Sequence, residues 1–332
     1  MNCDLDRMKQ AGIIHKNVKK FIHENIKENM KLLDLANLIE GKIKEECKYD
    51  CKTPLNAGIG FPTGLSINDC AAHWTPHSYS DKVLGNDDII KIDYGVHIDG
   101  SIIDSAFSYS FSNKYDKLME ASRTSTDIAI KMLRPDTLLS EVGKAVEENM
   151  NSYEFMIGDR NYKVKPVRSL CGHTINKYRI HGGKCIPNIY MKEYTERVKE
   201  GEFYAVETFA TTGSGETYED LKDCSHYMVN YMEMNKMEKV KNNCNDFYKI
   251  IKKYYNTLAF CDRWLVGRLL SKKNKLERLD NNSIRKYMSG LKGSNIIQYY
   301  PPIYDVDKTS YVSQFEESIY IGNECNIILS DQ

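Results

Sequence analysis

The chain of 332 residues has no excess of either charge: 46 acidic residues balance 46 basic ones, and the formal net charge is zero. That excludes a strongly basic surface and, with it, the electrostatic footprint of a nucleic-acid binder. No apolar run approaches the ~20 residues of a membrane span. The polar start, Met1-Asn2-Cys3-Asp4-Leu5-Asp6-Arg7, has no apolar stretch behind it to read as a signal peptide. Of the ten cysteines no two form a CxxC pair, which removes a zinc-ribbon reading. Free thiols in a reducing cytosol are therefore expected, and with them a cytoplasmic protein without a membrane partner. The Gly-rich turn Thr212-Gly213-Ser214-Gly215 lacks the GxxxxGK setting of a phosphate loop and reads as a plain loop.

What is present has a repeating order. Residues 5–27 carry an apolar stripe at helical spacing (Met8, Ile14, Val18, Phe21, Ile22, Ile26). Asp34 is expected to cap a second helix running to about Glu46. Residues 50–75 read as irregular, rich in Gly, Pro and Asn. Helix signals return at 115–132, and Ser140 is expected to cap another helix to about Asn149. Lys31-Leu32-Leu33-Asp34 echoes Thr137-Leu138-Leu139-Ser140 at an offset of 106 residues, and strand-like segments follow each helix pair. This predicts two similar halves whose strands pack together, with a site where they meet. Residues 233–295, rich in Lys and Asn and poor in Gly, read as a helical insertion within a single domain spanning 1–332.

The stretch Lys91 to Phe107 reads as a β-hairpin turning at Asp99-Gly100. Side chains alternate across a strand, so Asp93 and Asp104 share one face, one diagonal step or roughly 7–8 Å apart. Two solvated carboxylates would account for this, and so would a cation between them. Glu207 lies in the apolar strand 202–209, where a buried carboxylate needs a partner. With His173 and Glu316 these residues make an oxygen-rich set of five candidate ligands. Such a set suits Mn²⁺, Co²⁺ or Fe²⁺ better than a single structural zinc, and four carboxylates exceed what one ion needs. His15 and His23 are expected on the exposed side of the first helix. Neither they nor His77 and His97 are expected to act directly in chemistry.

These segments resemble the type 2 methionine aminopeptidases. The matching stretches are GIGFPTGLSINDCAAHWTP (58–76), KIDYGVHIDGSIIDSAF (91–107), GHTINKYRIHGGK (172–184), YAVETF (204–209), DCSHYM (223–228), TLAFCDRWL (257–265), YYPP (299–302) and SQFEES (313–318), in family order over nearly the whole chain. The resemblance implies the α/β pita-bread fold with pseudo-two-fold halves. It implies two divalent ions (Mn, Co, Fe or Zn): Asp93 on one, His173 and Glu207 on the other, Asp104 and Glu316 bridging. It implies catalytic roles for His73, His181 and Glu207, with Glu207 moving the proton and the two histidines orienting the peptide and stabilising the oxyanion. Phe61, Ile180, Phe209, His226 and Tyr300 would line the methionine pocket. The implied activity is removal of the N-terminal methionine from nascent proteins whose second residue is small, by a cytoplasmic monomer transiently near the ribosome. An Xaa-Pro dipeptidase of the same fold, or a non-catalytic scaffold, are the alternatives; GFPTG, CAAH and the insertion oppose the first, and the complete ligand set opposes the second. Trp74 in place of Tyr, Cys171 in place of Asn and Glu317 in place of His depart from the family pattern. A long charged N-terminal extension is not seen, so ribosome association through one is not expected.

Overall fold

A computed structural model of the chain describes residues 3–236, 244–272 and 275–330. Two helices open it, α1 (Cys3–Asn25) and α2 (Leu32–Glu46). Met8, Ala11, His15, Val18 and Ile22 recur at helical spacing on α1, Ile26 follows directly after its end, and all six are buried. Residues 50–75 are less irregular than their composition predicts, because three short strands form there: β1 (Ala57–Ile59), β2 (Gly64–Ile67) and β3 (Cys70–Ala72). The hairpin β4 (Ile90–Ile98) and β5 (Ser101–Tyr109) has the expected register, with Ile98 opposite Ser101, Gly95 opposite Asp104 and Asp93 opposite Ala106. Asp99 (φ 48°) and Gly100 (φ 78°) both take the left-handed conformation of a type I′ turn. Ile92, Tyr94, Val96, Ile103 and Phe107 face α1 and α2 in the first core. The other hairpin face is left for Asp93 and Asp104.

The second half repeats the plan. Helices α3 (Asp116–Met132) and α4 (Leu139–Asn151) precede β6 (Glu154–Ile157), β7 (Arg160–Lys163), β8 (Lys165–Pro166), β9 (Cys171–Ile175), β10 (Cys185–Pro187), β11 (Phe203–Thr211) and β12 (Thr217–Glu219). Then come β13 (His226–Val229), α5 (Asn245–Tyr254), β14 (Phe260–Cys261), β15 (Leu269–Lys272), β16 (Lys275–Arg278), α6 (Asn281–Lys292), β17 (Ile297–Tyr299), β18 (Ile303–Asp305), β19 (Val312–Ile321) and β20 (Asn326–Ile328). One antiparallel sheet joins the halves in the order β1-β4-β5-β19-β11-β9-β10, with β2 on β4, β8 on β11 and β20 on β19. Val142, Val146, Tyr204, Val206 and Ile319 form the second core between α3, α4 and the sheet.

The internal repeat exists, but its register is one residue off the sequence echo. Asn29 and Asp136 both have left-handed φ (60° and 69°). Lys31 and Leu138 are the two N-caps, and α2 and α4 begin at Leu32 and Leu139. Asp34 and Ser140 are therefore not caps; they lie inside the first turn, and neither helix has a side-chain cap. The orphan donors are met by backbone instead: the Leu32 N–H donates to the Lys82 carbonyl and the Leu139 N–H to the Glu196 carbonyl, at 2.9 and 3.0 Å.

One histidine differs from expectation. His15 is fully buried: its ring stacks on Tyr94 at 4.1 Å and its Nε2 lies 3.1 Å from the Tyr94 carbonyl, while the Tyr94 hydroxyl donates to the His15 carbonyl. Position 15 falls on the apolar stripe, between Ala11 and Val18, and a tyrosine across the interface satisfies the ring. His77 is buried between Asp262 (2.6 Å) and Asp223 (3.4 Å). Residues 224–297 enclose a third core. The stretch expected to be helical holds the strand pair β15–β16 and β14 besides α5 and α6; residues 237–243 and 273–274 within it lie outside the described residues. It is tied to α2 by a buried fork, in which Arg263 donates twice to the Glu40 carboxylate at 2.6 and 2.8 Å and the Trp264 indole N–H donates to it at 2.7 Å.

Candidate active site

The sheet's registers bring the candidate ligands into two adjacent rows. Gly64, Asp93, Ala106, Glu316 and Glu207 lie directly opposite one another across β2, β4, β5, β19 and β11. Two residues along, about 7 Å away, Gly95 faces Asp104 and Ala205 faces both Ser318 and His173. The Asp104 N–H donates to the Ser318 hydroxyl, which donates back to the Asp104 carbonyl, at 2.8 and 2.7 Å. The small residues Ala106, Ser318 and Ala205 keep the floor between the carboxylates open. Gly95 does so at the edge, where a Cβ would stand 2.3 Å from the Phe61 ring.

Four buried carboxylates facing one another are unfavourable unless neutralised. Burial first, and then the neighbouring carboxylates, push Asp104, Glu207 and Glu316 well above the usual carboxylate range. Burial raises Asp93 to about 7, and its Oδ1 has no hydrogen-bond partner. Glu207 and Glu316 stand opposite each other in register, the arrangement that destabilises like charges in a sheet. Against that, the Gln314 amide donates to Glu207 (3.1 Å) and to Glu316 (3.5 Å). His173 Nδ1 lies 3.3 Å from the Thr174 carbonyl, the geometry of a donor. Its Nε2 then presents a lone pair 3.5 Å from Asp104 and 3.8 Å from Glu207. Burial, followed by His181, depresses His173 to about 3, so the ring is neutral. A lone pair aimed at carboxylate oxygens is an arrangement that a cation held between them would satisfy. Ligand atoms of Asp104, His173 and Glu316 lie within 4.8 Å of one another, and Asp93 and Glu207 adjoin them, so this donor set fits a hard or borderline divalent metal.

Above the floor stand three neutral histidines. Burial lowers His73 and His181 to about 4 and His226 well below its usual value. Their rings gather around Tyr300 at 5.6–5.7 Å, and His181 meets His173 edge-on at 4.6 Å. His73 holds a left-handed backbone (φ 67°), a conformation costing a non-glycine residue about 1 kcal/mol or more. The twelve residues singled out from the sequence all line one cavity of about 550 Å³. Sequence reasoning missed Ala72, Leu170, Met228 and Ala259 on its wall, and Gln314 beneath it. Alternation offered a signal for two of them: Gln314 is two residues before Glu316, and Met228 two after His226. Ala72, Leu170 and Ala259 carry no such mark.

Glu317 does not face the pocket. It lies on the opposite face of β19, 3.8 Å from Lys19 and bonded to Ser330. The Trp74 indole N–H donates to Asp223 at 2.7 Å. Cys171 precedes His173 by two residues on β9, and its thiol neighbours that of Cys185.

Buried carboxylates with one imidazole, on a sheet shared by two similar halves, define the class as a metal-dependent hydrolase. Residues 6–232 match the family Peptidase_M24, metallopeptidase family M24. Methionine aminopeptidase 2A of Arabidopsis thaliana is 41% identical over 323 residues, covering 97% of this chain and 69% of that protein. Methionine aminopeptidase 2 of Puccinia graminis f. sp. tritici is 36% identical over 323 residues, 97% of this chain and 67% of that protein. The chain thus belongs to metallopeptidase family M24 and, inside it, to the methionine aminopeptidases. Among solved structures, a thermophilic Arx1 superposes with a TM-score of 0.82 at 16% identity, over 99% of this chain and 91% of that one. A methionine aminopeptidase from Rickettsia prowazekii superposes with a TM-score of 0.62 at 20% identity, over 99% and 98%. At such identities these two likenesses show the shared pita-bread fold. Among the described residues, no helix is long and apolar enough to cross a membrane.

Proposed function

We propose that this chain is a type 2 methionine aminopeptidase, removing the N-terminal methionine from nascent polypeptides whose second residue is small. The observation that carries the reading is the junction of a carboxylate floor with a pocket of aromatic and apolar side chains under three neutral histidines. Asp93, Asp104, His173, Glu207 and Glu316 would hold two divalent ions. When bound, such ions supply Lewis acidity, lowering the pKa of water and polarising the scissile carbonyl. The remaining work falls to the chain. Phe61, Ile180, Phe209, His226 and Tyr300 receive the methionine side chain, whose polarizable thioether suits aromatic walls. His73 and His181, kept neutral by burial, each retain an N–H to donate to the peptide carbonyl and to the oxyanion that develops from it. Glu207, ionised once a cation offsets the cost of its burial, takes a proton from the attacking water and gives it to the leaving amine. The same reading takes the protein to be a cytoplasmic monomer that meets nascent chains transiently at the ribosome.

The test is methionine release from Met-Ala-Ser, Met-Lys-Ser and Ala-Pro peptides. Release from Met-Ala-Ser alone, lost on metal chelation and restored by Mn²⁺ or Co²⁺, is the expected result. Cleavage of Ala-Pro without cleavage of Met-Ala-Ser would overturn the assignment.

A further inference from the structure

A second cavity, of about 610 Å³, adjoins the first and shares His181, Met228 and Tyr300 with it. Its outer wall includes Arg179, Asn230, Tyr231 and Gln298. Arg179 immediately precedes the two site residues Ile180 and His181, in a segment braced from several sides. The Arg179 N–H and carbonyl pair with those of Asn176 at 2.9 Å, and the Tyr178 hydroxyl donates to the Leu55 carbonyl at 2.9 Å. The Arg179 guanidinium lies 4.7 Å above the Tyr231 ring centroid. Among the described residues no carboxylate pairs with it, and it is the one permanently charged side chain on this wall. Gln298 adds an exposed neutral amide, suited to the backbone of an extended peptide, while the buried Asn230 amide is bonded to the Asn295 carbonyl and the Met232 N–H. The first cavity is floored by the carboxylates, and a polypeptide whose amino end lies there and whose chain runs past His181 and Tyr300 enters the outer cavity.

We propose that this outer cavity seats the segment of the substrate polypeptide beyond its second residue, and that Arg179 selects acidic side chains in that segment. The proposal rests on the aminopeptidase reading above and adds a specificity that the first cavity does not supply. A planar guanidinium pre-set on an aromatic face can bind a carboxylate by two parallel hydrogen bonds. It repels a lysine at the same place. Arg179 is thus a specificity-determining residue that touches substrate away from the reacting bond.

The experiment uses the metal-loaded enzyme and peptides Met-Ala-Ser-Ser-Ser in which the third, fourth or fifth residue is replaced in turn by Glu or Lys, with Met-Ala amide as the substrate too short to reach Arg179. At one position at least, Glu is expected to exceed Lys in kcat/KM by about fivefold at low salt, the scale of a half-exposed ion pair, mostly through KM. Salt shrinks the difference. Arg179→Met removes the preference and leaves Met-Ala amide turnover unchanged; Arg179→Lys restores part of it. No preference at any position overturns the proposal while leaving the aminopeptidase reading intact. An Arg179→Met loss on Met-Ala amide as large as that on the acidic peptides also overturns it, since the residue would then act through His181. Failure of the wild type to release methionine from any peptide overturns the function itself, and the proposal with it.

Discussion

Asp93→Asn should stabilise the metal-free protein, and the gain should grow with pH. Burial raises the Asp93 carboxyl from an ordinary 3.8 to about 7. Between those values the unfolded chain has released its proton while the folded one keeps it, so stability falls as pH rises and levels off above about 7. A tenfold difference in proton affinity between folded and unfolded chain corresponds to about 1.4 kcal/mol, so ionised Asp93 costs about 4 kcal/mol at full development. Part of that cost is already present near pH 5, where the unfolded side chain is ionised. An asparagine has the same shape and no charge. Its advantage should therefore widen by up to about 3 kcal/mol between pH 5 and pH 8, or about 5 °C in Tm for a chain of this size. The assay is differential scanning of chelator-treated wild type and variant at both pH values, then with Mn²⁺ added. Metal should reverse the order, because the wild type gains binding free energy that the variant forfeits. A variant no more stable than wild type at pH 8, or an advantage equal at both pH values, would refute the reasoning that the carboxylate floor is built for a cation.

Three further outcomes are expected. Asp104→Asn, which removes a charge at the centre of the floor, should lower kcat by at least about 10²-fold with the fold retained by circular dichroism; near-normal turnover would sink the two-metal reading. Glu40→Gln leaves the Arg263 guanidinium buried without its counter-charge and should cost about 3 kcal/mol in urea unfolding; a loss under about 0.5 kcal/mol would show that the fork contributes little. Burial opposes the charge on His77, but Asp223 and Asp262 together raise it to about 9. The stability it confers is complete below its ordinary 6.5 and lost as pH rises through about 9. The stability difference between wild type and His77→Gln should shrink between pH 6.5 and pH 9.5, and a constant difference would argue against the charged ring.

Much of the hairpin was legible because its code is local. The Asp99-Gly100 turn and the period-two alternation set the register, and a one-residue slip would have turned Asp93 and Asp104 toward the helices. The stripe on α1 was legible for the same reason, at a period of 3.6. His15 was misjudged because its partner, Tyr94, is 79 residues away. The caps of α2 and α4 were misplaced because the bonds that end those helices come from Lys82 and Glu196, not from neighbouring side chains. The strands among residues 233–295 were hidden behind a polar composition that is compatible with either helix or strand.

The sequence by itself determined which faces are apolar, where the chain turns, and which acidic residues lie on strands that would bury them; each follows from spacing along one segment. Only the tertiary structure decided that Asp93, Glu316 and Glu207 share a row, that Asp104 and His173 sit one row along, and that Ala106, Ser318 and Ala205 clear the space between. That alignment depends on how β5, β19 and β11 pair, strands up to 220 positions apart in chain numbering. Cross-strand register between distant segments is fixed by the packing of both cores at once, and no local pattern encodes it.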